Sequence, residues 1–438
     1  MKTQKTATLL ILLVFSVCGY TQNTEITKVP KDPTSKDSIT FFGKIKSVTE
    51  TTYQAVEKFG EVAKGKKYST TVFKCDNKKN LVEYEYYGSY EAHDDVGNYV
   101  GSIEYKNKTI IKYDDAGKKI EKKTYTDEQL DSTITWKYND KGYVIERNSY
   151  GADNVLFSKT KWKRNDNGKL IEKSEYDSLG NTVSKEIREY DARGYYTGRT
   201  KYEKGKLKWK HTYQLDDRGN RIHGIEVGSL NEGSEIDTLC IFMAKYDEFD
   251  NFVEYDELKH NQLSKKYFFK YNANKVKIEE RQFLENYQGG VCDCGESRSS
   301  FLFYNTKGEP SAEYGCKYYE GYTIYEGEDY FYRIGVRYWH KKYDEKGNIV
   351  EELQKEDGES DATSSSPINY EGYSEQEAQK IEKNIKNTIK DFDTKTEYVY
   401  TFDTYGNWVT RTIYKQNKNS MPTCTEIVER EIEYYETE

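Results

Sequence analysis

Proline is scarce in this 438-residue chain, with five residues at Pro30, Pro33, Pro310, Pro367 and Pro422. Between residues 34 and 309 every backbone nitrogen therefore keeps the N–H that a β-ladder needs. Histidine is as thin, scattered singly at His93, His211, His223, His260 and His340. No HExxH, GxSxG or GK[ST] string occurs, which removes the usual zinc-hydrolase, serine-hydrolase and P-loop readings. Basic charge is not in excess: 67 Lys and Arg against 75 Asp and Glu give −8. With nothing to spare for neutralising phosphates, a nucleic-acid partner is excluded. Long apolar runs are missing beyond residues 9–17, so no helical transmembrane span is expected. Aliphatic residues are few as well. Phe, Leu, Ile and Val together make 84 residues, near the composition at which a chain fails to bury a core.

What is present points to β-structure. Tyr contributes 43 residues, and Ile and Val outnumber Leu 49 to 18; aromatic and β-branched side chains suit pleated surfaces. Residues 1–22 have the three parts of an export signal: Lys2 and Lys5, the apolar run Leu9 to Val17, then small residues allowing cleavage after Gly19 or as late as Gln22. Cys18 raises lipidation, although Val17 stands where a small residue is usual. The chain is expected to be exported to the periplasm, cell surface or extracellular space.

One phrase recurs: Tyr, Asp or Asn, two variable residues, Gly, often Asn. It reads Tyr113-Asp114-Asp115-Ala116-Gly117, Tyr138-Asn139-Asp140-Lys141-Gly142, Tyr176-Asp177-Ser178-Leu179-Gly180-Asn181 and Tyr190-Asp191-Ala192-Arg193-Gly194, and returns at Tyr343–Asn348 and Phe402–Asn407. Positions 113, 138, 164, 190 and 215 are separated by 25, 26, 26 and 25 residues, with a second turn midway. The unit of about 12 to 13 residues leaves strands of seven or eight, about 25 Å long, joined in a meander. Asp and Asn bond their own backbone two residues on, and Gly supplies the positive φ of a tight turn. Between turns the chain alternates: Ile134, Trp136 and Tyr138 share a face, as do Leu207, Trp209, His211, Tyr213 and Leu215, and Tyr267, Phe269 and Tyr271.

On these copies the chain resembles the YD-repeat, or Rhs-repeat, family from about residue 70 to its end. In large members that resemblance implies a sheet wound into a shell around a toxin. Here a DPxG-like cleavage segment and a following toxin domain are missing, and the closing stretch from Gly406-Asn407-Trp408-Val409 looks like the end of small exported members. The expected fold is all-β: an antiparallel β-meander of YD-type hairpin repeats forming an extended, twisted or wound sheet, with one inserted amphipathic helix. Residues 23–40 read as a polar tether, 41–353 as repeats, 354–392 as a mobile loop plus helix, and 393–438 as terminal hairpins. The helix is marked by a Ser374/Glu377 capping box and by Ala378, Ile381, Ile385, Ile389 and Phe392 on one face, lying on the sheet as a plug.

Six cysteines follow the signal, and Cys292, Cys294 and Cys316 form the group from which a structural disulfide is expected, with free thiols or a metal as alternatives. Paired Asp residues recur at every tip, as turn-formers do and a unique catalytic pair does not. The aromatic stripes suggest a ligand-binding surface at Trp136, Tyr138, Trp209 and Tyr213, since aromatic faces stack on sugars; the bland alternative makes them the core of a one-layer sheet. Lys159, Lys161 and Lys163, with Lys119, Glu121 and Lys123, leave no lipid face for an outer-membrane barrel. The function expected is non-enzymatic, without a cofactor: presenting a surface to an envelope protein or glycan, or else serving as an envelope scaffold, with a polysaccharide hydrolase as a distant third.

Overall fold

The computed structural model describes residues 26–30, 38–93, 96–97, 99–229, 236–259, 262–286, 296–324, 330–357 and 375–436. The expected export signal, Cys18, Cys292, Cys294, Ser374 and most of the expected 354–372 loop lie outside the described residues. Strands β1 (Ile26–Pro30) and β2 (Ser38–Phe42) pair as a separate ribbon. They are followed by an unbroken antiparallel meander from β3 (Ile45–Lys58) to β26 (Thr423–Tyr434). The meander does not stay open: β26 pairs with β3 from Glu426↔Gln54 to Tyr434↔Ile45, closing a barrel of 24 strands.

The recurring phrase builds each corner at one rim. At Asp344 the N–H donates to Asn348 O (2.9 Å), and Gly347, at φ 79°, donates to Asp344 O (3.1 Å). Asp344 Oδ1 accepts the N–H groups of Lys346 and Asn348, and Asn348 Nδ2 donates to Oδ2 (2.9 Å). Each letter of the phrase thus satisfies a group that the corner would otherwise strand.

Closure has a local cause. A register irregularity falls at or beside the residue that precedes nearly every such corner: Lys112/Tyr113, Lys137/Tyr138, Lys163/Arg164, Glu189/Tyr190, Gln214/Leu215, Lys245/Tyr246, Lys270/Tyr271 and Lys342/Tyr343. A bulge bends its strand and increases the twist, so a bulge at every corner turns a flat meander into a curved one. The bulge also alters an expectation. Lys119 follows Tyr113 across the corner with Ile120 as the extra residue, so Lys119 points to the opposite wall from Glu121 and lies over the Trp136 ring at 5.7 Å.

The register also decides which wall faces the lumen. From Ser47 near the corner rim, partners run through Lys74, Glu83, Ile110, Lys123, Thr133 and Tyr150, sinking about one residue per strand toward the far rim. Adjacent strands rotate by about −20 to −25°, which allows only one sense of winding. Asp114 N–H, and with it Lys112, points toward the following strand; for L residues that sets the wall of Lys112, Glu121 and Lys161 outside. The wall of Trp136, Trp209, Tyr213 and Tyr267 is inside. A circular barrel of this strand number would be roughly 45 Å across between backbones, too wide for side chains to fill, and the substantial strand contacts run only between barrel neighbours.

Two accessories contact the walls. Residues 23–40 were expected to be a tether, but Thr27, Val29 and Phe41 are buried, because the β1–β2 ribbon packs on the inner-wall residues Val48, Phe73, Ile111 and Ile432 at the corner rim. Asn407 pins the ribbon: its Oδ1 accepts Phe42 N–H (2.7 Å), while Nδ2 donates to Phe42 O and Tyr434 Oη (2.8 Å each). Helix α1 (Glu375–Thr388) is not a lumen plug. Ala378 and Ile385 bury against Phe283, Phe301 and Cys316 on the outer wall.

Asn407→Ala should lower stability by about 1–3 kcal/mol in urea unfolding, because it leaves the half-buried N–H and C=O of Phe42 without their side-chain partner. Lys275 occupies the glycine place of a corner at φ 59°; Lys275→Gly should raise stability by up to about 1 kcal/mol. A neutral Asn407→Ala would refute the pinning role.

Candidate ligand-binding wall

The inner wall carries an aromatic band across β13 (Tyr196–Glu203), β14 (Lys206–Leu215), β15 (Arg221–Gly228), β16 (Asp237–Tyr246), β17 (Phe252–Lys259) and β18 (Gln262–Tyr271). Ring centroids step from Tyr196 to Tyr213 (5.4 Å), Phe242 (5.4 Å), Tyr255 (5.8 Å) and Tyr267 (5.8 Å), and Tyr267 stacks parallel to Phe269 at 6.1 Å. Phe242 takes its place in the band because residue 224 is Gly: a Cβ there would meet the Phe242 ring at 2.0 Å. Within the band is a recess of about 250 Å³ bounded by Arg199, His211, Tyr213, Glu226, Phe242 and Tyr255, among others.

Charged groups edge the rings. The Arg199 guanidinium lies 4.7 Å from the Trp209 ring centre and that of Arg221 lies 5.3 Å from Tyr213, stacking geometry that holds a cation beside an aromatic face. His211 Nε2 is 2.6 Å from Glu226 Oε2 and Nδ1 is 3.1 Å from Tyr213 Oη. Burial, then the Arg199 charge, pushes the His211 ring down to about 4; burial, opposed by Arg199, pushes Glu226 up. Near neutral pH the ring is therefore uncharged. The assignment that satisfies every atom has Tyr213 Oη–H donating to Nδ1 and Nε2–H donating to the Glu226 carboxylate.

Of the four predicted ligand residues, Tyr213 lines the recess and Trp209 lies beside it, 4.7 Å from the His211 ring. Trp136 and Tyr138 share the inner wall but stand on β8 (Gln129–Tyr138), outside this band. Tyr138 is committed elsewhere: its hydroxyl donates to Lys119 O (2.7 Å) and Lys118 Nζ covers its ring at 5.6 Å. Of the three cysteines expected to supply a structural disulfide, Cys292 and Cys294 lie outside the described residues and Cys316 carries a free thiol. It is buried under α1 among Phe283, Phe301 and Ile385, and burial pushes it up to about 12. Cys75, Cys240 and Cys424 are also free. Among the described residues no group of three or more His, Cys, Asp or Glu is placed to hold a metal.

Arg199, Arg221, Glu226, Phe242 and Glu257 were missed in the sequence. Glu226 meets His211 through the β14–β15 register, and the irregularity at Gln214/Leu215 shifts the count by one from the corner at Asp216. No motif marks such a pair.

No protein-family model matches this sequence, and no curated protein does. Among solved structures it is similar to a porin-like protein from Bacteroides uniformis, at 11% identity and a TM-score of 0.29, over 60% of this chain and 98% of that one. A likeness at that level carries no statement about function or location.

The pH consequence has a definite sign. An unfolded histidine takes up its proton near 6.5, whereas folded His211 refuses it until about 4; the native state is therefore disfavoured progressively as pH falls from 6.5 toward 4. His211→Gln should flatten that acid limb in unfolding measurements, and the wild-type His211 ring should remain neutral at pH 5.5 by NMR. A ring midpoint near 6.5 would refute this.

Proposed function

We propose that this chain is an exported barrel standing in water, whose inner wall holds a glycan or similar hydroxyl-rich ligand without chemical change. The observation that carries the reading is the band from Tyr196 to Phe269, edged by Arg199, Arg221, Glu226 and Glu257. Aromatic faces stack on the apolar side of a sugar ring, while forked guanidinium and carboxylate groups fix its hydroxyls. The recess carries both signs, Arg199 and Arg221 against Glu226 and Glu257, which suits a polar ring without net charge.

The outer wall supports the aqueous setting. A barrel in lipid needs an apolar outer band about 25 Å tall. Here Lys and Glu pair outside: Lys74–Glu83, Lys112–Glu121, Lys137–Glu146, Lys163–Glu172, Lys245–Glu254 and Lys270–Glu279, at 2.5 to 3.5 Å. Exposed apolar residues such as Ile225, Met243 and Val399 stand among these ladders. No helix among the described residues is long and apolar enough to cross a membrane. The export signal and the YD-type corners support kinship with small exported YD-repeat proteins.

A scaffold role without a ligand is the second reading, favoured by the structural use of Tyr138 and its equivalents. Titration against an array of envelope-polysaccharide fragments separates the two. A ligand wall predicts saturable binding that weakens ten-fold or more in Trp209→Ala and Tyr255→Ala with the fold intact. A blank array, with retention in one envelope complex, would favour the scaffold.

A further inference from the structure

A second recess lies on the opposite wall, where α1 meets β21 (Pro310–Ile324), β22 (Tyr330–Tyr343) and β23 (Ile349–Asp357). It encloses about 570 Å³, within the range of small-molecule sites, and belongs to neither the lumen nor the proposed ligand wall. Its floor is apolar. Tyr314 and His340 pair across the strands and stack at 4.3 Å with their planes 10° apart. Leu353 pairs with His340 from the next strand, and Ile389, buried just past the helix, closes one end.

The rim sets three lysines against one carboxylate, Glu382, which is itself paired with Lys386 and Arg281. Lys383 and Lys386, three apart on one face of α1, line the recess together with Lys390 two residues past its end. Lys386 is committed: it pairs with Glu382 at 2.6 Å and lies 4.6 Å from the Tyr314 ring centre. Lys390 donates only to the neutral Asn387 Oδ1 (3.1 Å), and Lys383 has no ion pair among the described residues. His340 does not add charge, because burial holds its ring below the ordinary histidine range. Glu351, the nearest carboxylate on β23, is held by Lys395 at 3.1 Å. The rim therefore carries two ammonium groups without a carboxylate partner above an aromatic and aliphatic floor.

We propose that this cleft between the helix and the outer wall binds a small amphiphilic carboxylate, its acyl or aryl body against Tyr314, His340 and Leu353 and its head group between Lys383 and Lys390. Burial of the apolar body supplies most of the affinity, and the ammonium pair selects the anion over its neutral analogue. The inference is independent of the glycan reading, since the lumen residues take no part.

Isothermal titration of the whole protein with dodecanoate and, separately, 2-naphthoate tests it, with dodecanol and 2-naphthalenemethanol as neutral controls. One saturable site per chain is expected for at least one carboxylate; the dodecanoate arm would identify a lipid-derived ligand and the naphthoate arm an aromatic one. The exposed double variant Lys383→Gln/Lys390→Gln should weaken binding at least ten-fold and remove its salt dependence, and Leu353→Trp should block the floor. Trp209→Ala should leave it unchanged. No saturable binding of either carboxylate, equal affinity for the neutral analogues, or undiminished binding by the double variant would overturn the proposal.

Discussion

Five corners of this barrel are each tied to the one before by a tyrosine hydroxyl. Tyr113 donates to Leu81 O, Tyr138 to Lys119 O, Tyr190 to Leu170 O, Tyr271 to Phe252 O and Tyr400 to Ile349 O, at 2.7 to 3.0 Å. The acceptor in each case is the first residue of the preceding strand. Tyr435 adds a like tie by donating to Cys75 O across the closing seam (2.7 Å). Bonds of this kind contribute only about 0.5–1.5 kcal/mol each, but each one locates a hairpin against its neighbour. Arg193 and Arg218 add a second tie between corners, to Asp217 O and Asp247 O.

Lateral ties of this kind matter in a chain so poor in aliphatics. Most of its buried apolar residues gather in two places, under the β1–β2 ribbon and under α1, with Val428 and Ile427 on β26 outside both. Elsewhere the sheet is one layer thick and each wall is stabilised laterally. Outside, Lys–Glu pairs bridge neighbouring strands, and the Lys137 ammonium holds the Glu146 carboxyl below the usual carboxylate range. Exposed pairs of this sort contribute little singly; their value is in fixing register, since a slip of one residue would put every Lys and Glu on the inner wall. Inside, rings lie over glycines and beside guanidinium groups. The two proposed sites follow from this division of labour, one on the aromatic wall and one where a helix covers part of the charged wall.

Much of this was legible beforehand in particular residues. Asp344 and Gly347 mark their corner by chemistry that needs no partner outside five residues, and Trp209, His211 and Tyr213 fall on one face by the period of a strand. A further regularity was legible and went unread: Lys74, Lys112, Lys137, Lys163, Lys245 and Lys270 each stand nine residues before a Glu, the span that a hairpin with a bulged corner folds together. The polarity of residues 23–40 concealed the ribbon, whose buried Thr27 is satisfied by Gly43 O at 2.8 Å. The helix was visible from Ala378, Ile381 and Ile385, but not the wall it would choose.

The sequence alone determined the corners and the alternation of side chains, because each rests on contacts within a dozen residues; the strand lengths it did not, since strands such as β4 (Glu61–Cys75) and β6 (Tyr99–Tyr113) run well past the seven or eight residues that the repeat implies. Only the tertiary structure decided that β26 returns to β3, which wall is the lumen, and that Glu226 meets His211 while Lys119 leaves the company of Glu121. Those outcomes depend on small bends and one-residue register shifts accumulated over 24 strands, and a quantity summed around a closed circuit cannot be read from any one of its steps.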